Sequence, residues 1–505
     1  MDRRSFVKGA TGALAGLSLQ NNHMQAATQA KRPPNVLFVL ADEWRAQALG
    51  YSGDPNAHTP VLNRLAQQSV NFSNTISGLP VCSPFRASLM TGQYPLTNGV
   101  FINDVPLKPK GVTLGEAFAH AGYRTGYIGK WHLYGSPDGH YGRRLSYIPP
   151  DRRFGFEYWK ACECTHDYNH SLYYADDDPN PKYWPGYDAF AETDDACRFI
   201  EAQIKARQPF FLTLSLGPPH FPYATAPTKY RAMYDTPEIQ LRPNVPEGKK
   251  EEATQNLRGY YAHIAALDEC VNRLLSTLER SGAAEDTIVV FTSDHGDMML
   301  SQGLTTKTYP WDESIRVPFL LRYPRKLGMK GQQLQTPLNA PDIMPTLLGL
   351  CGIRKPDGIQ GTDYSKTLLG RKTADLPKSA FMNLPASFGA ARQYGFAPYR
   401  GVRTDRHTYV RSIHGPWLLY DNVQDPYQMH NLCGRDEVSK IQAGLERELS
   451  GWLTRLQDEF LPGEDYLRRS GLTRYFEVNA KIGHSQSPWG DWKSTERTVL
   501  NSTFP

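Results

Sequence analysis

Four apolar runs in the chain stop at residues that bind metals or carry charge. NVLFVLADEW, from residue 35, ends at Asp42 and Glu43; TGYIGKWH, from 125, ends at Lys130 and His132. PFFLTLSLGPPH, from 209, ends at His220, and TIVVFTSDHGD, from 287, ends at Asp294, His295 and Asp297. The carboxylates and imidazole of Asp42, Glu43, Asp294 and His295 suit one divalent cation. Oxygen-rich ligation favours Ca2+ or Mg2+, and the single imidazole leaves Mn2+ and Zn2+ open. These donors alone leave Ca2+ short of its usual coordination number, so a substrate oxygen or a modified side chain should complete it. Cys82 stands apart, in LPVCSPFRASLMTGQYP, two residues before Pro84 and four before Arg86. Taken alone it reads as a buried thiol at a turn.

Each of the four runs has the length and the β-branched or aromatic content of a buried strand. Between them lie helical patterns, TPVLNRLAQQSV and TLGEAFAHAG, and TDDACRFIEAQIKAR with Thr193 as its expected N-cap. This alternation predicts an α/β fold with a mostly parallel sheet covered by helices on both faces. In such sheets, sites form outside the carboxyl ends of the strands. One histidine such as His132 is more often a satisfied core residue; four polar strand ends on one edge are a site.

The 505 residues are too many for one ordinary core and predict a large domain and a smaller one. A formal net charge of +5 is too small for this length to indicate nucleic acid. The N-terminus, MDRRSFVKGATGALAGLSLQ, resembles a twin-arginine export signal: Arg3 and Arg4, then Phe6, Lys8 and a mild apolar run too short to span a membrane. It implies a periplasmic or secreted protein with no stable membrane anchor. The seven cysteines are odd in number and show no framework. Cys162 and Cys164 with His166 are too few for a metal site and read as a loop, with a disulfide left open.

Through CSPFR and the ordered segments NVLFVLADEW, GYRTGYIGKWHLYG, PFFLTLSLGPPHFPY, VFTSDHGDMM, KTYPWDESIRVPFLLRYP and APDIMPTLLGLCG, the chain resembles the type I, formylglycine-dependent sulfatases of the alkaline phosphatase superfamily. The resemblance runs from about residue 34 to about 455. It implies a sulfuric ester hydrolase in which a maturation enzyme oxidises Cys82 to formylglycine before folding. The aldehyde hydrate attacks sulfur with one hydroxyl and expels sulfate through the other, where a serine would be left as a stable ester. By the same resemblance Arg86 supports the formylglycine, and Asp42, Glu43, Asp294, His295 and residue 82 hold one Ca2+, with Mg2+ or Mn2+ as alternatives. Asp294 takes the proton of the diol. Lys130 and Lys307 neutralise the sulfuryl oxygens, His132 is the base for sulfate release and His220 the acid for the departing alcohol. The family commonly has aspartate where Glu43 stands, which leaves Glu43 either a direct ligand or a neighbour of one.

The expected organisation is a signal (1–30), a catalytic α/β domain (31–375), a smaller α+β subdomain (376–462) for which the resemblance implies an antiparallel sheet and a C-terminal helix, and a polar tail (463–505). Substrate choice belongs to loops. The aromatic segment from Tyr158 to Phe190 offers rings to a sugar, with His166, Asp167 and His170 for hydroxyls, and it reads equally as a lid packed by its own aromatics. Arg143 and Arg144 would meet a second anionic group. A sulfated poly- or oligosaccharide is the expected substrate. A phosphonate monoester or phosphodiester is the alternative.

Overall fold

The computed structural model describes residues 32–135, 144–235, 238–371 and 376–474. The expected export signal, Arg143 and the tail beyond residue 474 lie outside the described residues.

A ten-stranded sheet is built from β1 (Asn35–Asp42), β2 (Val70–Phe72), β3 (Arg124–Lys130), β4 (Tyr158–Cys162), β5 (Leu172–Ala175), β6 (Lys182–Tyr183), β7 (Phe210–Pro219), β8 (Thr287–Ser293), β9 (Phe319–Arg322) and β10 (Gln332–Leu334). Its order is β10-β2-β9-β8-β1-β7-β3-β4-β5-β6. The four expected strands form its parallel centre: β1 pairs with β7 and β8, and β3 with β7 and β4. The antiparallel pairs, β9 with β8 and β2, β4 with β5 and β5 with β6, lie towards the two edges.

Strand alternation explains the two cores. Val36, Phe38 and Leu40 enter one cluster, and Leu37, Val39 and Ala41 enter the other. Helices α1 (Pro60–Gln67), α2 (Cys82–Thr91), α3 (Leu114–His120), α4 (Asp188–Lys205), α5 (Lys250–Arg280) and α6 (Ala340–Cys351) cover the sheet. α1, α4 and α5 close the Leu37 side, and α2, α3 and α6 close the Val36 side. One glycine lets β3 and β7 approach below the site. Gly129 has φ +100°, and a Cβ there would lie 2.1 Å from the Ser215 carbonyl oxygen.

A separate antiparallel sheet runs in chain order through β11 (Ser379–Leu384), β12 (Tyr399–Thr404), β13 (His407–Ser412) and β14 (Gly415–Asp421). α7 (Ser439–Leu456) lays Leu445, Leu449 and Trp452 on its Phe381, Val402, Tyr409 and Leu419 face. The other face, through Ala380, Met382, Val410 and Leu418, merges with the α2–α6 core. A buried Arg403–Asp312 pair at 3.1 Å ties β12 to the main body.

Two local expectations need correction. α4 starts at Asp188, before Thr193. Ala189 extends its apolar face upstream, the Asp188 carboxylate accepts from the Ala189 N–H, and the Thr193 hydroxyl is spent on the Ala189 carbonyl at 2.6 Å. Cys162 ends β4 instead of lying in a loop, and both Cys162 and Cys164 are free thiols. The chain beyond Pro462 opens with α8 (Gly463–Arg469), docked through buried Tyr466 and Leu467.

Candidate active site

Cys82 is the first residue of α2, a helix buried along its whole length. Its Sγ lies 3.2 Å from His295 Nε2, 3.5 Å from Lys130 Nζ and 3.8 Å from Asp42 Oδ1. Three of the four strand ends thus converge on the start of one helix, where unpaired N–H groups favour an anion. Burial, with Asp42 adding, pushes the Cys82 thiol up against the pull of Lys130 and Lys307. As a thiol it is a poor nucleophile here.

Arg86, one turn along α2, holds this centre together. Its Nε and Nη2 donate to Asp294 Oδ2 at 3.2 and 3.0 Å, Nη2 to Asp42 Oδ2 at 3.2 Å, and Nη1 to the Lys130 carbonyl and Ser215 Oγ at 2.9 and 2.7 Å. Lys130 Nζ pairs with Asp42 at 2.5 Å. Burial alone would raise the Asp42 pKa; Lys130, His220, Arg86 and His295 outweigh it and hold the carboxyl well below its usual range.

A second group faces the first. Lys307 Nζ lies 3.0 Å from Glu43 Oε1 and 2.7 Å from His220 Nε2. His220 Nδ1 lies 2.9 Å from the Phe221 carbonyl, which only an N–H can satisfy, so Nε2 carries the lone pair that Lys307 addresses. Burial, then Lys307 and His166, depress the His220 pKa well below the usual range. The expected ligand Glu43 therefore turns towards Lys307 and His220. Its other oxygen, Oε2, is buried without a hydrogen-bond donor, 3.1 Å from His220 Nε2. Burial drives the Glu43 pKa well above its ordinary value.

The donor set fits a divalent cation. Asp42, Cys82, Asp294 and His295 each bring one ligand atom within 4.8 Å of the others, and Asp42, Glu43 and His220 do the same. Two carboxylates and one imidazole surround Cys82 in the first group, and the second adds Glu43 and His220 around Asp42, a largely hard, oxygen-rich set. The orphaned Glu43 oxygen, at the edge of this group, gains a partner from added positive charge.

Two strand-end residues take the left-handed backbone region that non-glycine residues seldom enter: Glu43 at φ 68° and His132 at φ 57°. Each is held by the fold. The Glu43 N–H donates to Asp294 Oδ1 at 3.1 Å and its carbonyl accepts from Tyr260 at 2.9 Å. The His132 N–H donates to the Glu163 carbonyl at 2.7 Å. The Glu163 carboxylate, raised to about 7 by burial, accepts from the next loop N–H groups, Tyr134 and Gly135.

His166 reaches the rim of this cluster, its ring stacked on His220 at 4.2 Å. The Asp167 backbone N–H donates to Thr165 Oγ1 at 3.2 Å, and exposed His170 stacks away on Tyr183 at 4.2 Å. The aromatic segment is largely spent on itself, with Tyr168 fully buried and Tyr173 stacked on Trp184 at 3.9 Å. Arg144 is described, and is bound to Asp104. Asp297 accepts from the Tyr223 hydroxyl at 2.5 Å. Sequence reasoning missed Ser215, Asp104 and Glu163, each of which acts through a partner distant in the chain.

A parallel sheet that presents carboxylates, lysines and imidazoles around the N-terminus of a helix defines a hydrolase of anionic esters with an alkaline phosphatase-like fold. The chain belongs to the sulfatase family, whose sequence pattern matches residues 34–353, and it is a sulfuric ester hydrolase. A second pattern, that of the N-sulphoglucosamine sulphohydrolase C-terminal region, matches residues 301–455. An ulvan-active sulfatase of Formosa agariphila is 44% identical over 465 residues, covering 90% of this chain and 89% of the relative. An endo-4-O-sulfatase of Bacteroides thetaiotaomicron is 31% identical, covering 86% and 94%. A solved Bacteroides thetaiotaomicron structure, described with that organism's metabolism of multiple glycosaminoglycans, superposes with a TM-score of 0.77 at 28% identity, covering 87% of this chain and 99% of the other. The phosphonate monoester hydrolase of Agrobacterium radiobacter shares the fold, with a TM-score of 0.65 at 24% identity over 85% of this chain and 96% of that one.

Proposed function

We propose that this sulfatase is exported and removes sulfate from a carbohydrate, using formylglycine at position 82 and one Ca2+ held by Asp42, Asp294, His295 and residue 82, with Glu43 at its margin. The observation that carries this reading is the company of Cys82, a buried side chain within 3.8 Å of a lysine, a carboxylate and an imidazole. A thiol serves no purpose there, whereas a hydrated aldehyde supplies one hydroxyl for sulfur and a second for release of sulfate. A bound cation supplies positive charge against the sulfate.

The chain's own residues do the rest. Arg86 fixes the Asp42 and Asp294 carboxylates relative to each other. Lys130, braced by Asp42, presents its ammonium to one side of the sulfate, and Lys307 presents its own on the other. Lys307 and His220 share a proton across 2.7 Å, so the pair is the acid for the departing alcohol oxygen. His132 is the base for sulfate release. His166, on the outer face of His220, borders the alcohol side and meets the sugar.

The relatives named for ulvan and for endo-4-O-sulfatase activity support a sulfated polysaccharide or oligosaccharide. Export rests on Arg3, Arg4, Phe6 and Lys8, with the twin-arginine machinery and a formylglycine-generating enzyme as partners. No described helix is long and apolar enough to cross a membrane.

The test pairs two measurements on one preparation. Mass spectrometry of the peptide spanning residue 82 should show an aldehyde trapped by hydrazide. Sulfate release should then be scored on ulvan, glycosaminoglycan oligosaccharides, an aryl sulfate and an aryl phosphodiester. An aldehyde-bearing protein that cleaves the phosphodiester and no sulfate would overturn the reading, as would full turnover with residue 82 entirely a thiol.

A further inference from the structure

The His132 ring has one nitrogen bound and one bare. Nε2 lies 2.9 Å from Asp104 Oδ1, and Nδ1 is buried with no hydrogen-bond partner among the described residues. Asp104 is clamped by Arg144, whose Nε reaches Oδ1 at 2.7 Å and Nη2 reaches Oδ2 at 2.6 Å. The clamp is docked beside Cys82: the Asp104 N–H reaches Ser83 Oγ at 3.4 Å, and Asn103 Oδ1 accepts from the Ser83 N–H at 3.0 Å. The pair that aims His132 is therefore fastened to the residue that follows the nucleophile position.

We propose that Asp104 is a positioning residue of the reaction, which with Arg144 fixes His132 as the Nε2–H tautomer and leaves Nδ1 as the one lone pair of the ring that can take a proton. The inference rests on the reading of His132 as the base. A carboxylate held ionised by a bidentate arginine can only accept, so the ring proton facing it sits on Nε2. Burial opposes a second ring proton and lowers the His132 pKa to about 3, so the resting ring is neutral and its free electron pair is on Nδ1. When the free hydroxyl at residue 82 loses its proton, the O–H bond breaks and an N–H bond forms at Nδ1; the freed electron pair forms the aldehyde C=O bond as the C–O bond to sulfate breaks, and sulfate leaves with that bond's pair. The imidazolium so formed already has its other N–H on a carboxylate. Arg144 keeps Asp104 from taking that proton itself.

The test is made on the whole enzyme labelled with 15N-histidine, with the His132 ring signals identified by their absence in His132→Asn. The expected spectrum at neutral pH shows Nε2 protonated and Nδ1 bare. In Asp104→Ala the two tautomers should mix and kcat should fall by about 100-fold, the lower range for loss of a positioned base, with KM nearly unchanged and the same aldehyde content at residue 82. A proton on Nδ1 in the unmutated enzyme, or a doubly protonated ring, overturns the proposal even if the enzyme is an active sulfatase. An Asp104→Ala enzyme with unaltered tautomer and kcat does so too. If Asp104→Ala does not fold, the spectrum of the unmutated enzyme decides alone.

Discussion

Replacing Arg86 with methionine should show how much of the site is held by one cation. Its guanidinium is 1% exposed and sits between Asp42 and Asp294, both fully buried. Arg86→Met keeps volume and apolar packing but removes five N–H···O contacts and leaves Asp294 Oδ2 without its two donors. Asp42 keeps Lys130. Removing one partner of a buried ion pair costs about 3–5 kcal/mol, because the remaining charge stays buried without compensation. The loss should be seen in full in chelator, as a lower midpoint in equilibrium urea unfolding at unchanged slope. Saturating Ca2+ should recover part of it, since a cation bound by the native carboxylates stabilises only the folded state. Arg86→Lys should fall in between: an ammonium restores charge but cannot bridge Asp42, Asp294, Ser215 and the Lys130 carbonyl together. If Arg86→Met in chelator stays within about 1 kcal/mol of the parent protein, the premise that these carboxylates depend on Arg86 is wrong.

Cys82→Ser, made in a host that leaves the serine unmodified, should release at most one equivalent of alcohol and carry sulfate at position 82, as read by mass spectrometry; sustained turnover would refute the need for two hydroxyls. Asp294→Ala should lose bound Ca2+ and activity while keeping its far-ultraviolet spectrum, and metal analysis showing an unchanged Ca2+ content would count against the ligand assignment. Gly129→Ala should lower stability and activity together, because its methyl group would meet the Ser215 carbonyl at 2.1 Å beneath the Arg86 contact; a variant with parental melting and kcat contradicts that close approach. Burial opposes ionisation of Asp312, but Arg403 and Arg316 lower its pKa from 3.8 to about 2. A depressed folded pKa gives stability that is present above pH 3.8 and lost as pH falls through 2. That component, about 2 kcal/mol, should be missing from the acid unfolding curve of Asp312→Asn.

The central strands and the polar residues at their ends were legible because they are local patterns: a short apolar run, then the residue that ends it. Thr193 misled for a physical reason. A threonine before an apolar stripe offers a cap, but the same hydroxyl is equally satisfied inside a helix by the carbonyl four residues back, and only packing decides. Cys162 misled because a strand near the edge of the sheet is short and its C-x-C sequence carries no strand signal. Asp104 and Glu163 left no trace in the sequence because their work is done on His132 and its loop, 28 and 29 residues away from Asp104 to His132 and from Tyr134 to Glu163. The orientation of Glu43, towards Lys307 264 residues on, is likewise a tertiary fact.

The centre of the sheet is also closed late, only once β8 (Thr287–Ser293) has been made. β1 lies between β7 and β8, and Cys82 contacts a histidine 213 residues further along the chain. At ribosomal rates of about 5–20 residues per second, roughly 10–40 s pass between synthesis of Cys82 and synthesis of its last neighbours. Throughout that interval the pocket that buries Cys82 does not exist, and the segment around it is open to any enzyme that reads it as extended chain. After it, a side chain with 2% exposure at the start of a fully buried helix is closed to such an enzyme. If Cys82 is converted as proposed, the topology acts as a timer: slower translation would lengthen the interval for oxidation, and overproduction that outruns the modifying enzyme would leave a folded, unconverted thiol.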